Sequence, residues 1–387
     1  MSFEVVSRPD RVRVAFSTAA ISIENARSAM AGLPEEIECV LDEAGPGKAT
    51  LDVSGPSAAH AASNLFARIN GYPEYPDGLL GEFRNSDRPL VSCILLLPFN
   101  DLFARHAILP SIIRNSASHP IEIVIVFAGF GIDREPFQRM TQLDSELTSI
   151  AKGYNLGVRH ARGEYVALFH DDCFVDDPHW IPKALAPLDD GAAAVTPEFD
   201  RWQQVPVAKA VPLVMRRAEF EDVGGYDEYY FVGVEDMDLT VTLLAARREV
   251  RCADIRYRHL RGMGTSLIVH QQPHQLKLLF GYQVLPPGVI AHVHRDAMQL
   301  LLSNSWIRML EGDYHLRFLK RHGDFIASRF SVDVPRMVDA YQSMRHPHLL
   351  TPQMAYMSNR EKLIDAYCAL MNAADLSRPI HEESEPF

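Results

Sequence analysis

Three uninterrupted apolar runs frame the middle of the chain. LVSCILLLPFN covers 90–100 and is stopped by Pro98, IEIVIVF covers 121–127, and Tyr165–Phe169 forms the third. Runs of this kind predict strands buried on both faces, as in a parallel sheet. Leu102–Ser116 between the first two reads as an amphipathic helix. After the glycine stop at Gly129 and Gly131, a polar stretch reads as helical to about Lys152, and Gly153, Asn155 and Gly157 fall in the next helix or its turn. This β-α-β-α-β order predicts a doubly wound sheet with ligands at the carboxyl ends of its strands.

Beyond the third strand, Pro178–Leu188 is a proline-started helix and Gly191–Pro197 a short strand. Residues 198–218 read as irregular, with Leu213–Met215 apolar. A helix is expected from Glu235 to about Arg248, then a strand at Val250–Ile255 and a glycine-containing loop, Tyr257–Ser266, that carries His259. Upstream, Arg11–Phe16 and Ile37–Asp42 alternate as half-buried strands do, Ala49–Val53 is a third strand, and Ser22–Ala31 and Pro56–Asn70 are helical. A loop rich in glycine and proline, 71–89, closes this small α/β unit. From 270 onward the pattern is helical: Gln275–Tyr282, His292–Leu310, Tyr314–Arg321, Pro335–Met344 and Asn359–Ala373, followed by an acidic tail expected to be disordered.

Composition narrows the function classes. The 387 residues are 47% hydrophobic and carry a net charge of −12, with no basic run. Nucleic-acid binding is therefore not expected. No stretch reaches the ~18 apolar residues of a membrane span, and no polybasic patch invites an anionic membrane, although peripheral membrane contact stays open. The opening residues lack an apolar signal core. Five scattered cysteines with no CxxC pair suit a reducing cytosol. A cytoplasmic protein is expected.

Two acid clusters carry the candidate chemistry. GEYVALFHDDCFVDD runs a buried strand straight into His170, Asp171 and Asp172, with Asp176 and Asp177 close behind. Carboxylates and imidazole packed so closely suit a divalent cation that could hold a diphosphate. The plainer alternative is a polar turn whose acids cap the next helix. In the second cluster, Glu235, Asp236 and Asp238 open a helix just after Asp227 and Glu228. Acids favour a first helical turn through the macrodipole, yet three within four residues exceed what capping requires. His270, His274, His292 and His294 complete no recognisable metal set and read as solvated or core residues.

In this order the motifs resemble glycosyltransferase family 2: inverting, nucleotide-sugar-dependent enzymes with a GT-A fold. LVSCILLLPFN resembles the family's opening strand, which ends in Pro-x-aromatic-Asn. GYNLGVRHARGEYVALFHDDCFVDDPHWI is similar to its Asn-x-Gly helix, following strand and DxD-type motif. EDVGGYDEYYFVGVEDMDL is similar to its Gly-Gly-aromatic-Asp-Glu and Glu-Asp motifs, and RHLRGMGTS resembles its late His-bearing loop. The resemblance covers roughly 90–266.

The resemblance implies an α/β fold: a Rossmann-like, mostly parallel sheet flanked by helices at 89–266. Around that core stand the small α/β extension of 1–88, a helical acceptor or lid region at 267–376, and the tail 377–387. It implies Asp172 as ligand of a divalent cation, Mn2+ or Mg2+, with His170 and His259 as further ligands. Asp236 would be the general base with Glu235 beside it, and Pro98, Asn100, Asn155 and Asp171 would lie along the donor. The implied reaction moves a sugar, most simply from a UDP-sugar, to a hydroxyl of a glycan, glycolipid or small-molecule acceptor.

Two departures stand out. The second strand ends in Phe127–Gly131 without the family's acidic turn, and His170 replaces its common first Asp. A non-catalytic nucleotide- or glycan-binding protein is one alternative. A nucleotidyltransferase ranks below it, since PheAsnAspLeuPheAlaArgHis has no glycine to cradle a triphosphate. No GxGxxG follows a strand, which argues against a dehydrogenase.

Overall fold

The structure, a computed structural model, describes most of residues 4–68 together with Tyr75, then 78–97, 104–127, 134–145, 150–171, 173–230, 233–259 and 304–344. The N-terminal unit is a four-stranded antiparallel sheet of β1 (Glu4–Arg8), β2 (Arg11–Ser17), β3 (Glu38–Gly45) and β4 (Lys48–Ser54), ordered β1-β2-β4-β3. Glu4–Arg8 is a strand beyond the three expected. Ala49, Leu51 and Val53 alternate onto the buried face of β4, where Ala26 and Ala29 of α1 (Ile23–Met30) and the helical residues Ala58, Ala61 and Leu65 are buried too. These side chains belong to one apolar cluster with Val91, Leu95, Ile123 and Trp180, so the extension shares its core with the main sheet.

That sheet has seven strands: β5 (Val91–Leu97), β6 (Ile121–Phe127), β7 (Thr141–Asp144), β8 (Tyr165–Phe169), β10 (Ala194–Thr196), β13 (Leu213–Arg216) and β14 (Val250–Cys252). Its order is β14-β10-β13-β8-β5-β6-β7. Every residue of β5, β6 and β8 is buried, which is why all three read as continuous apolar runs. All neighbouring pairs are parallel except those of β13, which runs antiparallel to both β8 and β10. The expected mixed α/β architecture with a mostly parallel sheet is thus present.

Several local expectations are corrected. The polar stretch before Lys152 is not one helix: it holds a 3-10 turn, Glu135–Phe137, and β7, a parallel edge strand. An edge strand with only one neighbour needs no apolar run, so TQLD gave no strand signal. Residues 198–218 are ordered as the hairpin β11 (Phe199–Trp202) and β12 (Val205–Ala208), followed by β13. The helix expected from Leu102 is a π turn at Ala104–Ile108 running into α2 (Leu109–Asn115).

Helix α3 (Ile150–His160) lies so close to the sheet that glycine is required at two positions. A Cβ on Gly153 would stand 2.5 Å from Leu96 Cδ1, and one on Gly157 2.5 Å from Ile94 Cγ2. Helices α4 (Trp180–Asp189), α5 (Arg217–Asp222) and α6 (Glu235–Ala245) complete the core. The expected helices Tyr314–Arg321 and Pro335–Met344 fall in α7 (Asn304–Phe330, 27 residues) and α8 (Val334–Met344). The helices expected at 275–282, 292–303 and 359–373, and the tail, lie outside the described residues.

Candidate active site

The carboxyl end of β8 is held from two sides. His170 N–H donates to Ala210 O at 2.9 Å, and Cys173 N–H donates back to His170 O at 3.3 Å. The chain thereby turns into β9 (Cys173–Val175), which pairs antiparallel with β15 (Tyr257–His259) in the register Val175↔Tyr257 and Cys173↔His259. His259 was expected in a loop. It is instead the last residue of a strand, opposite the residue that follows Asp172. Strand pairing thus brings the backbone of His259 beside the acid cluster, although Asp172 and the His259 side chain lie outside the described residues. Pro98 and Asn100 lie outside them as well.

The remaining acids of the first cluster do different jobs. Asp171 is buried at the turn. Asp177 is 1% exposed and braces the turn, accepting from Lys183 Nζ at 2.7 Å, His179 N–H at 2.9 Å and Arg256 N–H at 3.2 Å. Burial opposes its charge, but these donors prevail and hold the carboxyl below its ordinary range. It braces the strand end, whereas the plainer reading had these acids capping the next helix, which has no side-chain cap.

The second cluster sorts its acids by direction. Asp236, at the head of α6, turns toward β8: its Oδ2 lies 4.0 Å from His170 Nε2. The Tyr226 hydroxyl donates to Asp236 Oδ1 at 2.9 Å, and the Ala210 backbone N–H also bonds the carboxylate. The Asp236 carbonyl accepts from Thr240 Oγ1 at 2.7 Å, which in turn accepts from Ala208 N–H at 3.0 Å. The segment 208–210 therefore joins the β8 end to the α6 head. Burial raises the Asp236 pKa above the ordinary carboxylate value; His170, the Tyr226 hydroxyl, Lys209 and the Ala210 N–H pull against it without cancelling it. The side chain is still 15% exposed, so a small group can reach it.

Glu235 folds back onto its own turn and accepts from Gly233 N–H. Burial first, and the Asp236 charge second, push its carboxyl up to about 8. Asp227 and Asp238 face α7 instead. Asp238, 2% exposed, accepts from Arg321 Nη1 at 2.8 Å and from the Tyr230 hydroxyl at 3.2 Å, with His322 Nε2 at 2.9 Å. Asp227 accepts from Arg317 Nη2 at 2.8 Å. The excess of acids over capping needs is thus divided between a site and a helix dock.

Asn155 sits beneath this loop rather than at an open surface. Its amide donates to Tyr226 O at 2.9 Å and its Oδ1 accepts Tyr226 N–H at 3.0 Å, a two-way clamp on the backbone of the residue that holds Asp236. The clamp needs Gly225: with φ +67°, its Cβ would stand 2.6 Å from Asn155 Oδ1. Sequence reasoning missed Tyr226, Ala210 and Thr240 as neighbours of Asp236. Only Tyr226 had a signal, as the aromatic of the Gly-Gly-aromatic-Asp-Glu motif. Among the described residues no group of three His, Cys, Asp or Glu side chains could hold a metal ion.

Residues 144–251 match the family model Glycosyl transferase family 2. The match is to this part of the chain alone, under a third of its length. The matched segment opens at the end of β7 and closes in β14, so it contains the β8 turn, the 208–210 segment and the acid loop. No curated protein matches the chain. Solved structures similar to it include GalNAc-T7 with UDP, GalNAc and Mn2+ (12% identity, 63% of this chain and 58% of that one, TM-score 0.40). Others are the mannosyltransferase PcManGT from Pyrobaculum calidifontis with GDP-Man and Mn2+ (18%, 81% and 96%, TM-score 0.37) and S. aureus TarS 1-349 with UDP-GlcNAc (13%, 73% and 90%, TM-score 0.34). The chain spans 58% of the length of the first of these. Among the described residues no helix is long and apolar enough to cross a membrane.

Proposed function

We propose that this glycosyltransferase inverts the anomeric centre of a nucleotide-diphosphate sugar, UDP-linked in the first instance, as it joins the sugar to an acceptor hydroxyl, with Asp236 as general base. The observation that carries the reading is the aim of Asp236: a largely buried carboxylate directed at the end of β8, 4.0 Å from His170, with one oxygen held by Tyr226. The acceptor proton must leave as its oxygen attacks, and a base placed within hydrogen-bond reach contributes ~100- to 10,000-fold. A raised pKa makes Asp236 a better proton acceptor than an ordinary carboxylate. Burial and the Asp236 charge raise the Glu235 carboxyl as well, so the two neighbouring acids disfavour carrying two negative charges side by side.

A divalent cation suits the donor set of His170, Asp172 and His259, one carboxylate with two imidazoles on chain segments that the β9–β15 pairing brings together. Such a set favours Mn2+ over the harder Mg2+. When bound, the ion supplies positive charge for the departing diphosphate. Pro98, Asn100 and Asp171 are the proposed donor contacts, and Asn155 serves the same site by fixing Tyr226. Orientation of the two substrates supplies much of the remaining rate. We assign the donor and base to 89–266, the acceptor to 267–376, and no chemistry to 1–88. The acceptor is a glycan, a glycolipid or a small molecule, met in a cytoplasmic setting.

Calorimetry of UDP with and without Mn2+, repeated on Asp172→Ala, tests the donor site. Mn2+-dependent binding that disappears in the variant supports it. Binding of GDP but not UDP keeps the reaction and moves base selection to Phe127–Gly131. Absence of any nucleotide binding sinks the reading in favour of a non-catalytic protein.

A further inference from the structure

The C-terminal helix α7 lies outside the family 2 match yet grips the acid loop at two points. Arg317 Nε and Nη2 meet Asp227 Oδ2 at 3.1 and 2.8 Å, and its guanidinium lies 4.2 Å from the centre of the Tyr229 ring. Arg321 Nη1 spans both anchors, 2.8 Å from Asp238 Oδ2 and 3.5 Å from Asp227 Oδ2. His322 Nε2 reaches the other oxygen of Asp238 at 2.9 Å. Each anchor is a near neighbour of the proposed base machinery. Asp227 follows Tyr226, whose hydroxyl holds Asp236, and Asp238 is two residues beyond Asp236 in the first turn of α6.

We propose that Arg321, assisted by Arg317 and His322, is a positioning residue: by cross-linking Asp227 to Asp238 it fixes the aim of the Asp236 carboxylate. The inference rests on the reading of Asp236 as base. Apolar contacts already dock the helix, with Phe318 fully buried and 5.5 Å from the Trp202 ring, and Tyr314 5.5 Å from Tyr230. Charge pairs in such a setting add little net stability once desolvation is counted, and their best-attested use is to select one geometry. Here they select the geometry of a loop that ends on the base. The matched domain would then need a helix at least 53 residues further along the chain to be fully active (Asn304 against Arg251).

The test measures turnover, UDP affinity and amide hydrogen exchange across 226–238 for Arg321→Met, Arg321→Lys and Asp236→Asn in the full chain. Misaimed catalytic groups cost about 100-fold. Arg321→Met should therefore lose turnover on that order, keep UDP affinity within about twofold, and speed exchange across the loop; Arg321→Lys should recover much of the turnover. Normal turnover in Arg321→Met beside an inactive Asp236→Asn overturns the positioning role, as does a turnover loss matched by an equal loss of UDP affinity. An active Asp236→Asn instead removes the base assignment, and unchanged loop exchange in Arg321→Met then removes the cross-link too. Should Arg321→Met fail to fold, Arg317→Gln spares the partners of buried Asp238 and should show the same direction more weakly; unchanged turnover and exchange there overturn the proposal.

Discussion

His170 Nε2 and Asp236 Oδ2 stand 4.0 Å apart, although 66 residues separate them in the chain (236 against 170). The Ala210 peptide links the same two residues, its carbonyl accepting from the His170 N–H and its N–H bonding the Asp236 carboxylate. The backbone of one residue thus touches both the proposed metal-binding turn and the proposed base.

Asp236→Asn removes the proposed proton acceptor while keeping the shape and the hydrogen bond from Tyr226. Turnover should fall ~100- to 10,000-fold, with UDP affinity retained. Steady-state kinetics beside calorimetry checks this, and near-normal turnover would sink the assignment.

Tyr226→Phe probes the electrostatics more finely. Burial keeps the Tyr226 hydroxyl protonated, far above its usual range, so it serves as a fixed donor that lowers the Asp236 pKa. Without it that pKa rises further. The acid limb of the pH–rate profile should shift to higher pH, and the lost buried hydrogen bond should cost about 1 kcal/mol of stability. An unshifted limb would show that Asp236 does not govern the rate.

The extent to which the sequence announced this site follows from physical range. Strands β5, β6 and β8 are buried on both faces, so each needed an apolar run visible in one window. Edge strand β7 needed none and escaped notice, whereas the short β13 showed only as the apolar Leu213–Met215 inside a segment that read as irregular. Acids 235, 236 and 238 were conspicuous, but their division of labour was not, because it depends on His170 and Arg321, each far away in sequence. His259 was placed in a loop since a three-residue strand gives no period to detect. Its pairing with Cys173 is visible only in three dimensions.

Gly157→Ala tests the contact that brings α3 onto the sheet. Alanine gains about 1 kcal/mol of helix propensity over glycine, whereas overpacking a filled core costs about 1–3 kcal/mol. The new Cβ would meet Ile94 Cγ2 at 2.5 Å and Val126 Cγ2 at 3.3 Å, and both partners are fully buried strand residues with nowhere to retreat. Packing should win, and the thermal midpoint should fall by several degrees. A rise would mean that α3 can lift away.

Glu235 makes the fold itself sensitive to pH. Its folded pKa, pushed up to about 8 by burial and by the Asp236 charge, lies above the ordinary value of 4.5. The folded protein therefore binds more protons than the unfolded chain across that interval. The associated stability is fully present below about 4.5, declines as pH rises toward about 8, and is spent above it. Glu235→Gln keeps an oxygen for the Gly233 N–H but cannot ionise, so the contribution of this residue to the decline should vanish. Asp236→Asn should move the same transition to lower pH, because it removes the second cause of the shift. Thermal midpoints of the three proteins at pH 5 and pH 8 decide the matter. A wild-type decline that survives unchanged in Glu235→Gln would assign it to other groups.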